Sequence, residues 1–186
     1  MNTWMICIMS ASRKRETKET CIEAFLNIEG GGQIQVDTGI ELLDEILFAI
    51  CLAGGFDLKL TATGDIETGD HHTTEDTAIT LGSVLAQEVK SGMASSMVVS
   101  GQALATAVVR FGQPGYQGSF SLESCHLAGM DTENISHFLR ALAYNGQFNL
   151  AISAQGGDDK SRIEAMSTAL GRAIKRAARD DLAKKR

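Results

Sequence analysis

The chain carries one pattern twice. Leu47-Phe48-Ala49-Ile50, followed by Gly54-Gly55-Phe56-Asp57-Leu58, lies without a gap over Leu139-Arg140-Ala141-Leu142, followed by Gly146-Gln147-Phe148-Asn149-Leu150 (148 − 56 = 92). Further on, Glu75…Leu81-Gly82 lies over Glu164…Leu170-Gly171 (164 − 75 = 89), so the intervening loop is three residues shorter in the second copy. Self-similarity of this kind changes how every motif is read, because each copy must be one structural unit. The expected organisation is a first half-domain over 1–91 and a second over 92–186, together one compact duplicated domain.

The periodicities inside each half give the unit. Arg13 onward is an exposed charged stretch running into a strand, Thr20 to Ile28. Glu29-Gly30-Gly31-Gly32 marks a turn before a second short strand, Gln33 to Asp37, and the two are expected to form a hairpin. Thr38 to Leu52 places Ile40, Leu43, Leu47 and Ile50 at helical spacing, and Gly54-Gly55 stops that helix. Phe56 to Thr63 alternates as a strand, Gly64 to Asp70 is a polar loop, and His72 to Glu88 is a second helix. In the second half, Met97-Val98-Val99 and Ala103 to Phe111 precede a Gly-rich turn and a strand over Tyr116 to Leu122. A helix over Asp131 to Tyr144, capped by Asp131, a strand over Gln147 to Ser153 and a closing helix over Lys160 to Lys184 follow. The fold class is α+β: a tandem duplication of a ββαβα unit, each half a mixed sheet packed by helices.

Composition narrows the partners. Of 186 residues, 44% are hydrophobic and 22% charged, the profile of a globular chain. Lys+Arg 17 against Asp+Glu 23 leaves −6, the wrong sign for a protein that holds nucleic acid by its phosphates. The basic run near the C-terminus is interrupted by Asp180-Asp181 and reads as cations at a helix end. Met1 to Ser10 is too short to span a membrane, and its positive charges follow the apolar stretch instead of preceding it as in a secretory signal. Cys7, Cys21, Cys51 and Cys125 show no C-x-x-C or paired spacing and read as reduced thiols of a cytoplasmic protein. Neither nucleic acid nor membrane is expected as a partner.

One segment is dense in ligand-type side chains: Asp70-His71-His72-Thr73-Thr74-Glu75-Asp76. On a helix, His71 and Glu75 are four apart and His72 and Glu75 three apart, so all three side chains can face one end of the element. Imidazole with carboxylate suits manganese, iron or zinc, and three protein ligands with open positions is the pattern of a catalytic metal. The same residues also read as a solvated helix start, with Asp70 as cap and acidic groups favoured by the helix dipole. The duplication adds His137, which overlays Glu45, and Glu164, which overlays Glu75; His71-His72 overlay Lys160-Ser161.

At these residues the chain resembles the imidazoleglycerol-phosphate dehydratases of histidine biosynthesis. The resemblance rests on Arg15-Glu16-Thr17-Lys18-Glu19-Thr20, Asp37-Thr38-Gly39-Ile40-Glu41-Leu42-Leu43-Asp44, Gly69 to Thr77, Asp131-Thr132-Glu133…His137-Phe138 and Ile163-Glu164-Ala165. It implies a hydro-lyase that converts imidazoleglycerol phosphate to imidazoleacetol phosphate, with two manganese ions per site between subunits of a 24-subunit homo-oligomer. It implies His71, His72, Glu75, His137, Glu164 and Glu45 as metal ligands. Glu19, Glu75 and Glu164 become candidates for proton transfer, with Glu19, Lys160 and Arg110 contacting the phosphorylated imidazole substrate. Where such enzymes carry histidine this chain has Glu45, and where they carry a second His-His pair it has Lys160-Ser161. Ser95, Gln113 and Thr168 stand near their phosphate-holding basic residues. The alternative is therefore a divergent relative with another substrate or no catalysis. His72→Ala is expected to abolish retention of divalent metal through dialysis if the cluster is a site, and to change little if it is a helix cap; metal analysis of the dialysed protein decides.

Overall fold

A computed structural model describes residues 10–64 and 69–184. The N-terminal apolar stretch with Cys7, most of the loop after Gly64 and the last two residues of the basic C-terminal run lie outside the described residues. The elements in chain order are β1 (Ser10–Glu16), β2 (Thr20–Asn27), β3 (Ile34–Asp37), α1 (Glu41–Gly54), β4 (Asp57–Gly64) and α2 (His71–Glu88). They continue with β5 (Met93–Ser100), β6 (Ala103–Phe111), β7 (Gly115–Ser119), the short β8 (His126–Leu127) and β9 (Met130–Asp131), α3 (Glu133–Asn145), β10 (Phe148–Gly156) and α4 (Asp159–Lys184).

The repeat is visible in the sheets. One has the order β1-β2-β4-β3 and the other β5-β6-β10-β7. In each, the first three strands are antiparallel and the last joins in parallel. Inward residues alternate along the strands: Ile22, Ala24 and Leu26 on β2, Leu58 and Leu60 on β4, Ala105, Ala107 and Val109 on β6, Leu150 and Ile152 on β10, all buried. The α+β duplication thus stands as expected, but three strands of the four-stranded sheet, not two, precede the first helix of each unit.

Three local readings are corrected. The charged stretch after Ser10 is a paired strand, β1, in register with β2 from Ser10 opposite Asn27 to Glu16 opposite Cys21. Because β1 and β4 take both edges of β2, the expected β2–β3 hairpin does not form, and β3 lies parallel to β4 instead. The turn before β3 is shaped by Asp57, whose carboxylate accepts the backbone N–H of Gly31 and of Gln33, each at 2.8 Å. A side chain on Gly30 would sit 2.3 Å from Asp57 Cγ, so glycine is required for that approach. The amide of Gln33, followed by that of Gly31, holds the Asp57 carboxyl below the usual carboxylate range. Asp131 does not cap α3: Thr132 occupies the cap position, and Asp131 faces His126 Nδ1 at 3.0 Å.

The helices lie between the two sheets and pair across the halves, α1 with α4 and α2 with α3. Glycine makes both crossings close. A Cβ on Gly171 of α4 would be 2.1 Å from the Ile50 carbonyl oxygen of α1, and one on Gly82 of α2 would be 2.8 Å from the Leu142 carbonyl oxygen of α3. Gly82 overlays Gly171 and Ile50 overlays Leu142, so the duplication reproduces the contact itself.

The repeat breaks at one helix end. Gly55 follows α1 with φ 63°, whereas its equivalent Gln147 holds φ 55°. A left-handed conformation costs a side chain roughly 1–2 kcal/mol, partly offset by the entropy that glycine loses on folding. Gln147→Gly is expected to raise stability by about 0.5–1 kcal/mol in urea unfolding. Gly171→Ala, and less severely Gly82→Ala, should instead lower it by about 1–3 kcal/mol, because backbone must retreat on both sides of the crossing.

Candidate metal centre

The first turn of α2 presents His71 and His72 side by side with Glu75 one turn on. Arg15 of β1 anchors that turn, donating through Nε to Asp76 Oδ1 at 2.7 Å, so Asp76 binds within the fold and is not free to serve the cluster. The α2–α3 crossing at Gly82 then brings His137 against it, the His71 and His137 ring centroids lying 5.2 Å apart and edge-on. His71 and His72 are 5.7 Å apart. His71 Nε2 is 3.9 Å from Glu75 Oε2. Glu75 and His137 share a surface cavity of about 300 Å³ with Ile79, Arg140, Tyr144 and Asn145.

Both adjacent imidazoles are engaged at Nδ1. His71 Nδ1 lies 2.9 Å from Asn134 Oδ1, and His72 Nδ1 lies 2.8 Å from Glu19 Oε2. Glu19, one of the expected proton-transfer groups, therefore sits against a histidine of the cluster. His72 and Glu19 are mostly exposed, and His71 and Glu75 about half so, which leaves the group open to a ligand. Three imidazoles and a carboxylate, two of the rings held at Nδ1, are donors of the kind that suits a borderline divalent ion, although within one chain they stand too far apart to enclose it.

The alternative helix-start reading makes Asp70 a cap. It occupies the cap position of α2 but makes no side-chain capping bond. Its buried carboxylate crosses to α3, where it accepts from Asn134 Nδ2 at 2.9 Å and from the Asp131 backbone N–H at 3.2 Å. Asn134 was missed altogether, although its place three residues before His137 puts both on one face of the helix.

The other three expected residues sit on the other helix pair. Glu45 of α1 and Lys160 of α4 form an ion pair at 3.9 Å, while Ser100 Oγ donates to Glu164 Oε2 at 2.8 Å. Glu45, Lys160 and Glu164 line a cavity of about 270 Å³ with Leu42, Ile46 and Ser167. The duplication makes this the counterpart of the histidine cluster, with an ammonium at the position of His71. Arg110 belongs to neither: it is exposed on β6 between the buried Val109 and Phe111, on the side of the sheet away from the helices. Among the described residues of one chain, no three His, Cys, Asp or Glu side chains stand close enough together to hold a metal ion.

Comparison with known proteins identifies the family. A family profile described as imidazoleglycerol-phosphate dehydratase matches residues 38–174. The chain is 36% identical over 181 residues to the imidazoleglycerol-phosphate dehydratase of Methanothermobacter thermautotrophicus, covering 94% of this chain and 93% of that protein. It is 39% identical over 178 residues to the protein of that name from a Thermoanaerobacter species, covering 92% of each. The crystal structure of imidazoleglycerol-phosphate dehydratase from Staphylococcus aureus superposes with a TM-score of 0.79 at 26% identity, covering 90% of this chain and 97% of that one.

Proposed function

Because the chain belongs to the imidazoleglycerol-phosphate dehydratase family, we propose that it removes water from imidazoleglycerol phosphate to give imidazoleacetol phosphate, a step of histidine biosynthesis. The observation that carries the reading is a match along nearly the whole chain joined to the grouping of His71, His72, Glu75 and His137 at one end of the α2–α3 pair. The alternative of another substrate or no catalysis is not favoured.

His71, His72, Glu75 and His137 would hold a divalent ion, manganese by the resemblance, with Glu45 and Glu164 completing the set from a neighbouring subunit. When bound, such an ion acts as a Lewis acid toward the substrate imidazole and favours its anionic form. The chain's own groups handle the proton and the water. Dehydration takes a proton from one carbon and a hydroxyl from its neighbour, so one group must accept the first and another protonate the second. Glu19, Glu75 and Glu164 have the chemistry for both tasks, and Ser100 keeps the Glu164 carboxylate aimed. Lys160 would meet the phosphate, where each charge-assisted hydrogen bond contributes about 1.5–3 kcal/mol; Arg110, on the outer side of its sheet, would reach it only from a neighbouring subunit. Lys160 is exposed enough to swing from Glu45 to a substrate.

Assembly into a large homo-oligomer is supported by Met93, Met97 and Val99, which expose an apolar stripe along β5. Within each subunit the halves 1–91 and 92–186 act as one duplicated domain. A cytoplasmic setting fits Cys21, Cys51 and Cys125, all free, and burial pushes the Cys51 thiol up to about 12. No helix among the described residues is long and apolar enough to cross a membrane.

Metal-stripped protein is expected to be inactive and to regain formation of imidazoleacetol phosphate on addition of manganese. A sample shown to hold metal that gives no turnover overturns the reading.

A further inference from the structure

We propose that Asn134 is a positioning residue that sets the tautomer of His71, and so selects Nε2 as the atom His71 offers to a metal. The inference rests on the metal reading above and adds a residue that takes no part in the chemistry.

Hydrogen-bonding capacity alone dictates the arrangement. The Asp70 carboxylate only accepts, so the Asn134 amide must turn its NH₂ toward it, and Nδ2 lies 2.9 Å from Asp70 Oδ2. The same carboxylate oxygen takes the Asp131 N–H, and both side chains are buried, at 6% and 3% exposure for Asp70 and Asn134. Flipping the amide would set two acceptors against each other and leave a buried carboxylate short of a donor. With the amide fixed, Asn134 Oδ1 faces His71 Nδ1 at 2.9 Å. That oxygen also only accepts, so Nδ1 carries the proton and Nε2 keeps its lone pair. Nε2 is the nitrogen on the side of Glu75, at 3.9 Å. An unrestrained neutral imidazole can place its proton on either nitrogen.

The duplication contains its own control. Asp70 overlays Asp159, which is likewise buried, at 8% exposure. Asp159 spends its carboxylate on the backbone N–H groups of Glu123 and Ser124, at 2.8–3.1 Å, and on Arg162. Asn134 overlays Leu42, and His71 overlays Lys160. The aspartate at the helix start is thus common to both halves, whereas the amide occurs only in the half that has imidazoles to orient.

The test is Mn²⁺ binding to the full-length protein, read from the paramagnetic resonance signal of free Mn²⁺, with the thermal midpoint as a check on folding. Asn134→Leu, which copies the residue at the duplicate position, should weaken Mn²⁺ affinity by about 10–100-fold. Asn134→Asp should also bind weakly, because it sets a second carboxylate against Asp70. Adding Asp70→Asn to that variant returns an amide donor to the pair and should recover most of the loss. The swap decides the matter even if Asn134→Leu does not fold. Wild-type affinity in folded Asn134→Leu, or a swap that binds no better than Asn134→Asp, overturns the proposal while leaving the metal reading intact. A wild-type protein that binds no Mn²⁺ removes both.

Discussion

Everything about the site depends on how closely two helices from opposite halves can approach. Gly82 and Gly171 let the carbonyls of Leu142 and Ile50 come within what would be contact distance of a side chain. An added methyl at either crossing would push the pair apart by displacing backbone, which yields far less readily than a flexible side chain. At the α2–α3 crossing this approach sets the distance between His137, on one helix, and His71 with Glu75 on the other. The burial of Asp70 and Asn134 follows from the same crossing, since both lie in the seam it closes.

The two seams are built alike and charged differently. Each has an aspartate at the start of the second helix of its half, a carboxylate one turn further on, and a partner group from the facing helix. In one seam the remaining positions hold imidazoles, neutral donors that can share a cation. In the other they hold Lys160 and Ser161, and an ammonium already stands 3.9 Å from Glu45. In the single chain that ammonium neutralises part of the Glu45 charge, a share that a divalent ion would take over if Glu45 became its ligand.

The sequence was most informative where its signal is local or repeated. Helical spacing located α1, α2 and α4 closely, because their apolar faces are continuous. The duplication carried the order of elements, though not their pairing, into the second half. What failed was pairing between distant segments. Nothing in residues 20–37 reveals that β1 and β4 will occupy both edges of β2, so the short loop looked like a hairpin. Asp70 and Asp131 looked like caps because aspartate before a helix usually is one. Each instead binds a partner outside its own helix, Asp70 one that lies 64 residues on. Asn134 was legible only in part: its helical face follows from spacing, but its two partners do not.

Among the described residues, the position of the helices between the sheets also leaves each sheet with one bare side, and those two sides are not alike. The first shows Lys14, Glu23 and Lys59 around Phe25, and the second shows Met93, Met97 and Val99. Such a particle has one face whose adhesion electrolyte weakens and another whose adhesion salting-out strengthens. Were copies to associate, ionic strength would favour one of these surfaces over the other.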